Sequence, residues 1–132
     1  MLSPKKGTVR EDGYVYSGRQ WYSPDTMRRR RITAFLIQAR NRAKEEGVPF
    51  ALTLDYVDDL CKSTPICPIM RVPLIRGSQG GRDNSPSIDR IRPELGYVPD
   101  NVRCISQGAN RIKGGMSPEQ VARLAAYVKG EL

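Results

Sequence analysis

The stretch from Ser23 to Gly47 constrains the fold of this chain more than any other. Ser23-Pro24-Asp25 joins a side-chain cap, a proline suited to the first helical turn and an acid at the positive end of the helix dipole. Gly47 is the residue type that ends helices in a left-handed turn. The helix predicted between them spans 24–46, about 35 Å at the usual rise per residue. The chain has 132 residues, which suits one compact domain with one modest core, so the remaining elements must be arranged around this helix. Met27, Ala34, Phe35, Leu36 and Ile37 are expected to form its apolar stripe, and Arg28, Arg29, Arg30, Arg31, Arg40, Arg42 and Lys44 to cover much of the rest. Four consecutive arginines cannot share one face of a helix. They wrap it with charge, as a solvated face would or as a helix that tracks phosphates would.

Charge narrows the function classes. Lys and Arg total 22 against 14 Asp and Glu, a formal net charge of +8 with a pI near 9.8, and the positive residues are clustered. That balance favours a nucleic-acid partner over a basic surface kept for solubility. There is no histidine, and Cys61, Cys67 and Cys104 contain no C-x-x-C pair, so no structural zinc site is expected. Three cysteines also make a poor disulfide scaffold, and reduced, buried thiols in a cytoplasmic protein are the expectation. No apolar run approaches a membrane span, and the basic N-terminus lacks the apolar core of a secretion signal.

Residues 1–12 are polar and charged and are expected to be flexible. Residues 13–22 read as a β-hairpin, with aromatic and β-branched residues on either side of Ser17-Gly18. Such a hairpin must pack on something, or it presents Trp21 and its tyrosines to a nucleic acid. Thr53 caps a short helix from Leu54 to about Lys62. Residues 67–75 are apolar with two prolines, which suggests an extended edge segment, and residues 76–86 have a loop's composition. Strands are expected at 87–91 and 102–106, around a loop holding Gly96 and Pro99. Ser106 caps a helix over 107–113 that ends at Gly114-Gly115. Ser117-Pro118-Glu119-Gln120 is a capping box that opens a last helix over 118–129, with Val121, Leu124, Ala125 and Val128 on one face.

The segment from 84 to 113 carries the chemistry. Its order is strand, loop, strand, helix. Its polar residues fall at set intervals: 11 residues from Arg90 to Asn101, 9 from Asn101 to Asn110, and 3 from Asn110 to Lys113. Singly, Asp89 reads as a salt-bridge partner, Asn101 as a turn residue and Asn110 as a solvated helix residue. Taken together at this spacing they resemble the HNH, or ββα-metal, endonucleases. Ser87-Ile-Asp-Arg-Ile91 is similar to the Asp-His strand of that family, with Arg90 where the histidine stands. Asn101 in Asp100-Asn-Val-Arg103 resembles the central asparagine. Asn110 resembles the last metal-ligand position, and Lys113 the trailing basic residue. Cys67-Pro-Ile, Asn84-Ser-Pro-Ser-Ile-Asp-Arg-Ile91 and Leu95-Gly-Tyr-Val-Pro-Asp-Asn-Val-Arg103 extend the likeness to phage-borne members without a zinc ribbon. It covers about residues 30–129.

The resemblance implies an α+β fold: a small ββα-metal core with flanking helices and an N-terminal hairpin. It also implies metal-dependent hydrolysis of DNA phosphodiesters. Asp89 and Asn110 would hold one divalent cation, Mg²⁺ or Mn²⁺ by their hard oxygen donors. Asn101 would hold the loop, and Lys113 and Arg103 would neutralise phosphate. The departure is Arg90. A guanidinium cannot accept a proton near neutral pH, so Arg90 is better suited to clamping the scissile phosphate. The nucleophile would then come from metal-bound hydroxide, since a cation lowers the pKa of its water, or through Tyr97, Glu94 or Asp83 of neighbouring loops, among which spacing does not choose. Two readings compete with a nuclease. One is a non-cleaving DNA-binding module using Arg28, Arg29, Arg30, Arg31, Arg103, Arg111 and Lys113. The other is an RNA-binding protein that stacks bases on Trp21 and the hairpin tyrosines.

Overall fold

A computed structural model describes residues 2–75 and 83–132, so residues 76–82 of the expected 76–86 loop lie outside the described residues. The described chain is α+β, with four α-helices and two small antiparallel sheets. The hairpin pairs β1 (Val15–Tyr16) with β2 (Trp21–Tyr22), and Ser17 N–H bonds Gln20 C=O across a four-residue connection. Residues 7–10, within the segment before it, are tied to the hairpin. Gly7 donates to Tyr16, Tyr16 donates to Thr8, and Val9 bridges Val15. Polar composition hid this because the ties are made by backbone groups, which every residue type carries.

Helix α1 is Pro24–Glu46, capped by Ser23 accepting from Thr26 N–H and closed by Gly47 at φ 70°. Its buried face is Ile32, Ala39 and Ala43, with Phe35 and Leu36 partly buried beside them. The stripe expected on Ala34 and Ile37 is corrected: both are exposed, Ile37 to 60%. Consecutive apolar residues from 34 to 37 sweep about 300° of a helix, so this run alone cannot say which side faces the core. Helix α2 (Leu54–Lys62) lies against α1 and contributes Val57 and Cys61 to the same core.

The two helices also share a buried charge cluster. Asp58 accepts from Arg28 Nε at 2.5 Å and Arg29 at 3.0 Å, and Lys62 Nζ lies 3.3 Å away. Arg28, beside Asp58, is the largest influence on that carboxyl and helps hold its pKa down to about 2. Two of the four consecutive arginines are therefore engaged by carboxylates of α2, Arg28 largely buried and Arg29 half-exposed.

Residues 65–74 form a tight turn where an extended edge was expected. Cys67 N–H bonds Val72 C=O, Arg71 N–H returns to Cys67 C=O, and Arg71 adopts φ 59°. The Cys67 sulfur, fully buried, accepts N–H groups from Met70 and Ser106 and so joins this turn to the start of the next helix. Burial pushes the Cys67 thiol up, but those N–H groups outweigh it and bring it down to about 7.

Strands β3 (Pro86–Arg90) and β4 (Val102–Ser106) pair antiparallel with Asp89 opposite Arg103, and α3 (Gln107–Lys113) folds back on both. Val102 and Cys104 from β4, and Tyr97 from the intervening loop, complete the main core. The C-terminal helix α4 (Pro118–Val128) has the capping box at Ser117 and Gln120. Its apolar residues stay outside the core: Val121, Leu124, Ala125 and Val128 are all exposed. Among the described residues no helix is long and apolar enough to cross a membrane.

A cleft between a strand, a helix and the end of α1

Alternation along β3 puts Ser87 and Asp89 on one face. Helical spacing puts Asn110 and Lys113 on the face of α3 that meets it. The two pairs form rungs. Asn110 donates its amide N–H to Ser87 Oγ at 2.7 Å, and Lys113 Nζ lies 3.0 Å from each Asp89 oxygen. Lys113 also donates to the Arg90 carbonyl at 2.8 Å, which ties the C-terminal end of α3 to the end of β3. Asp89 is buried, with 9% of its surface exposed.

These residues open on a cleft of about 450 Å³. Its walls include Asp89, Arg90, Asn110 and Lys113 from the strand and helix, Tyr97 from the loop, and Arg42 and Glu46 from the C-terminal end of α1. The structure thus brings Asp89 and Asn110 to one cavity. The amide donor of Asn110 is taken by Ser87, so what it can offer a cation is its carbonyl oxygen. Among the described residues there is no group of three or more His, Cys, Asp or Glu side chains suited to a metal, so a cation here would rest on one carboxylate and one amide.

Arg90 leans into the cleft and is held on three sides. It donates to Glu46 at 2.7 Å and to the Pro93 carbonyl at 3.1 Å, and its guanidinium lies 4.5 Å from the centre of the Tyr97 ring. Arg42 donates to the Tyr97 hydroxyl at 3.2 Å. The hydrogen bond from Arg90 is the main reason the Glu46 carboxyl sits below the usual carboxylate range.

Asn101 is buried behind this wall and spans the loop. Its amide donates to the Arg92 and Gly96 carbonyls at 2.9 and 2.7 Å, and its oxygen accepts from Arg92 N–H at 3.1 Å. Gly96 adopts φ 79°, and a Cβ there would come within 2.3 Å of the Pro49 carbonyl oxygen. Only glycine lets the loop lie this close to the chain that follows α1.

The other expected residues are dispersed. Arg28 and Arg29 face Asp58. Arg30 lies over the Tyr22 ring at 4.3 Å and donates to its hydroxyl, while Arg31 is exposed. Arg103 is exposed on β4, and Arg111 pairs with Asp83 at 2.8 Å. Of the three groups considered as proton acceptor, Tyr97 lines the cleft, Glu94 is near Arg92, and Asp83 is held by Arg111. Arg10 lies 4.6 Å from the Trp21 ring centre and 4.9 Å from that of Tyr14, so a cation lies over two of the rings considered for base stacking. Sequence reasoning missed Glu46 and the part Ser87 plays. The period-two spacing of Ser87 and Asp89 was a usable signal for Ser87. For Glu46, which meets Arg90 across 44 residues, there was none.

Compared with known proteins, the chain matches no family model, no curated protein and no solved structure.

Proposed function

We propose that this protein is a metal-dependent endonuclease of the HNH kind, hydrolysing DNA phosphodiesters in the cleft between β3 and α3. The observation that carries the reading is the opening of Asp89 and Asn110 on one cleft that is also edged by Arg42, Arg90 and Lys113. The donor set fits the proposed cation. A carboxylate and an amide oxygen are hard donors, and Mg²⁺ characteristically keeps several waters while being held by one or two carboxylates and substrate phosphate. Lys113, 3.0 Å from both oxygens of Asp89, stands in for such a cation at the carboxylate. When bound, the ion would polarise the phosphoryl oxygen and stabilise the leaving oxygen.

The chain's own residues supply the rest. Arg90 presents a planar fork of donors that matches a phosphate, and its ring and carbonyl neighbours keep it aimed. Lys113, once off Asp89, is a second cation for the same phosphate. Asn101 fixes the loop that carries Pro93 and Tyr97, and so fixes the wall behind Arg90. With no histidine in the chain, the reaction lacks that family's usual base, which is typically worth about 10²–10⁴-fold, so slow cleavage with a raised pH optimum is expected.

The second reading, a module that binds DNA without cutting it, is favoured by the same two ion pairs. Asp89 and Arg90 are each already engaged by an internal partner of opposite charge. Supercoiled plasmid incubated with Mg²⁺ or Mn²⁺ from about pH 6 to about pH 10 separates the two. Nicking by the wild type, abolished by chelation and by Asp89→Ala while DNA binding survives, is the expected result. Salt-sensitive binding with no nicking at any pH makes the protein a binding module. Preferential retention of single-stranded RNA would replace both readings with the RNA one.

A further inference from the structure

We infer that Glu46, the last residue of α1, occupies the place of a DNA phosphate on Arg90 and is displaced when the phosphate enters the cleft. The inference rests on the reading of this cleft as a phosphate site. Glu46 faces Arg90 with both oxygens, at 2.7 Å from one terminal nitrogen and 3.5 Å from the other. This is the two-pronged arrangement a guanidinium makes equally with carboxylate and with phosphate.

The two partners are held unequally. The Arg90 side chain is 14% exposed and braced by Tyr97 and the Pro93 carbonyl, whereas that of Glu46 is 42% exposed and has solvent on its outer side. Glu46 also stands where the negative end of the helix dipole disfavours a carboxylate. The helix dipole therefore does not account for an acid at this position; the direct contact with Arg90, and the weaker attraction of Arg42 four residues earlier, do. Arg42, on the same helix end, adds positive charge that attracts Glu46 and would attract a phosphate in its stead. Glu46 is thus a positioning residue for Arg90 in the free protein and a competitor of the substrate in the complex.

The two roles make opposite predictions from an ordinary structural buttress. Binding of a short DNA duplex is measured in chelator, so that neither metal nor cleavage enters, for wild type, Glu46→Gln, Glu46→Asp, Arg90→Ala and the Glu46→Gln/Arg90→Ala double variant. Removal of the competing charge in Glu46→Gln is expected to tighten binding about three- to fivefold, the scale of one partly exposed ion pair. Glu46→Asp, which keeps the charge, stays close to wild type. In the Arg90→Ala background the glutamine substitution has no further effect. Equal or weaker binding by Glu46→Gln overturns the inference, as does a tightening that persists without Arg90. Failure of the plasmid assay leaves this result untouched. Absence of DNA binding by the wild type would remove the phosphate reading itself.

Discussion

Two carboxylates, Asp58 and Asp89, are both buried and both paired with cations, yet they sit in regions built on opposite terms. Asp58 lies between α1 and α2 with three cations around it, and its side chain is 3% exposed. Both of its oxygens are engaged by these cations. Among the described residues Asp89 pairs with one cation, Lys113, and its cleft holds a second pair, Glu46–Arg90, in which charges of both signs face an open volume. The first arrangement is a closed knot that fastens two helices. The second is a pair of ion pairs on a cleft, and the proposed function requires that their partners be exchanged for ligands of the same sign. Burial of a carboxylate beside cations is therefore a poor marker of function unless the cations also face a space.

The largest effect that would sharpen this contrast is on stability. Asp58→Ala should cost about 3 kcal/mol in urea unfolding, because it leaves the largely buried Arg28 with the exposed Asp25, 2.7 Å away, as its remaining carboxylate partner among the described residues, while the folded fraction still binds DNA normally. Loss of binding in step with that substitution would show that the two regions are not separate. The same knot sets an acid limit. Asp58 has its pKa depressed to about 2 in the folded protein from 3.8, so its contribution is full above about pH 4 and disappears as pH falls through about pH 2. In Asp58→Asn that limb of the stability curve should be flattened.

Asn101→Ala comes next. It removes three hydrogen bonds from the cleft's back wall and leaves the Arg92 and Gly96 carbonyls short of a donor. The expected cost is about 2 kcal/mol, with a loss of nicking that exceeds the loss of folded protein. Nicking that merely follows the folded fraction would reduce Asn101 to scaffold.

A smaller effect tests exchangeability directly. Lys113→Met leaves Asp89 without its cation, so the variant should melt below wild type in chelator and recover as Mg²⁺ is added, by more than the wild type gains. An equal response to Mg²⁺ in both would make Asp89 as closed a site as Asp58. Smallest of all is Arg30→Ala, which removes the exposed arginine stacked on half-buried Tyr22. It should leave unfolding within measurement error and, if α1 meets DNA there, lower the salt slope of binding by about one.

Much of this molecule was legible in the chain. The caps at Ser23, Thr53, Ser106 and Ser117 and the stop at Gly47 mark helices that the structure contains within a residue or so, because capping is decided by side chains adjacent to the backbone groups they satisfy. The strand–loop–strand–helix order from 86 to 113 was legible for a similar reason: period, turn residues and cap are all local. The N-terminal ties, the turn at Cys67 and the exposed face of α4 were not, since each depends on what another segment offers.

The sequence by itself determined where helices and strands begin and end, and which residues of β3 and α3 share a face, because those follow from rise, period and capping over a few residues. Only the tertiary structure decided which partner each charge meets. Arg28 meets Asp58 across 30 residues, and Arg90 meets Glu46 across 44. An ion pair is selected by which elements come together in space, and a run of arginines carries no record of the carboxylate that will face it.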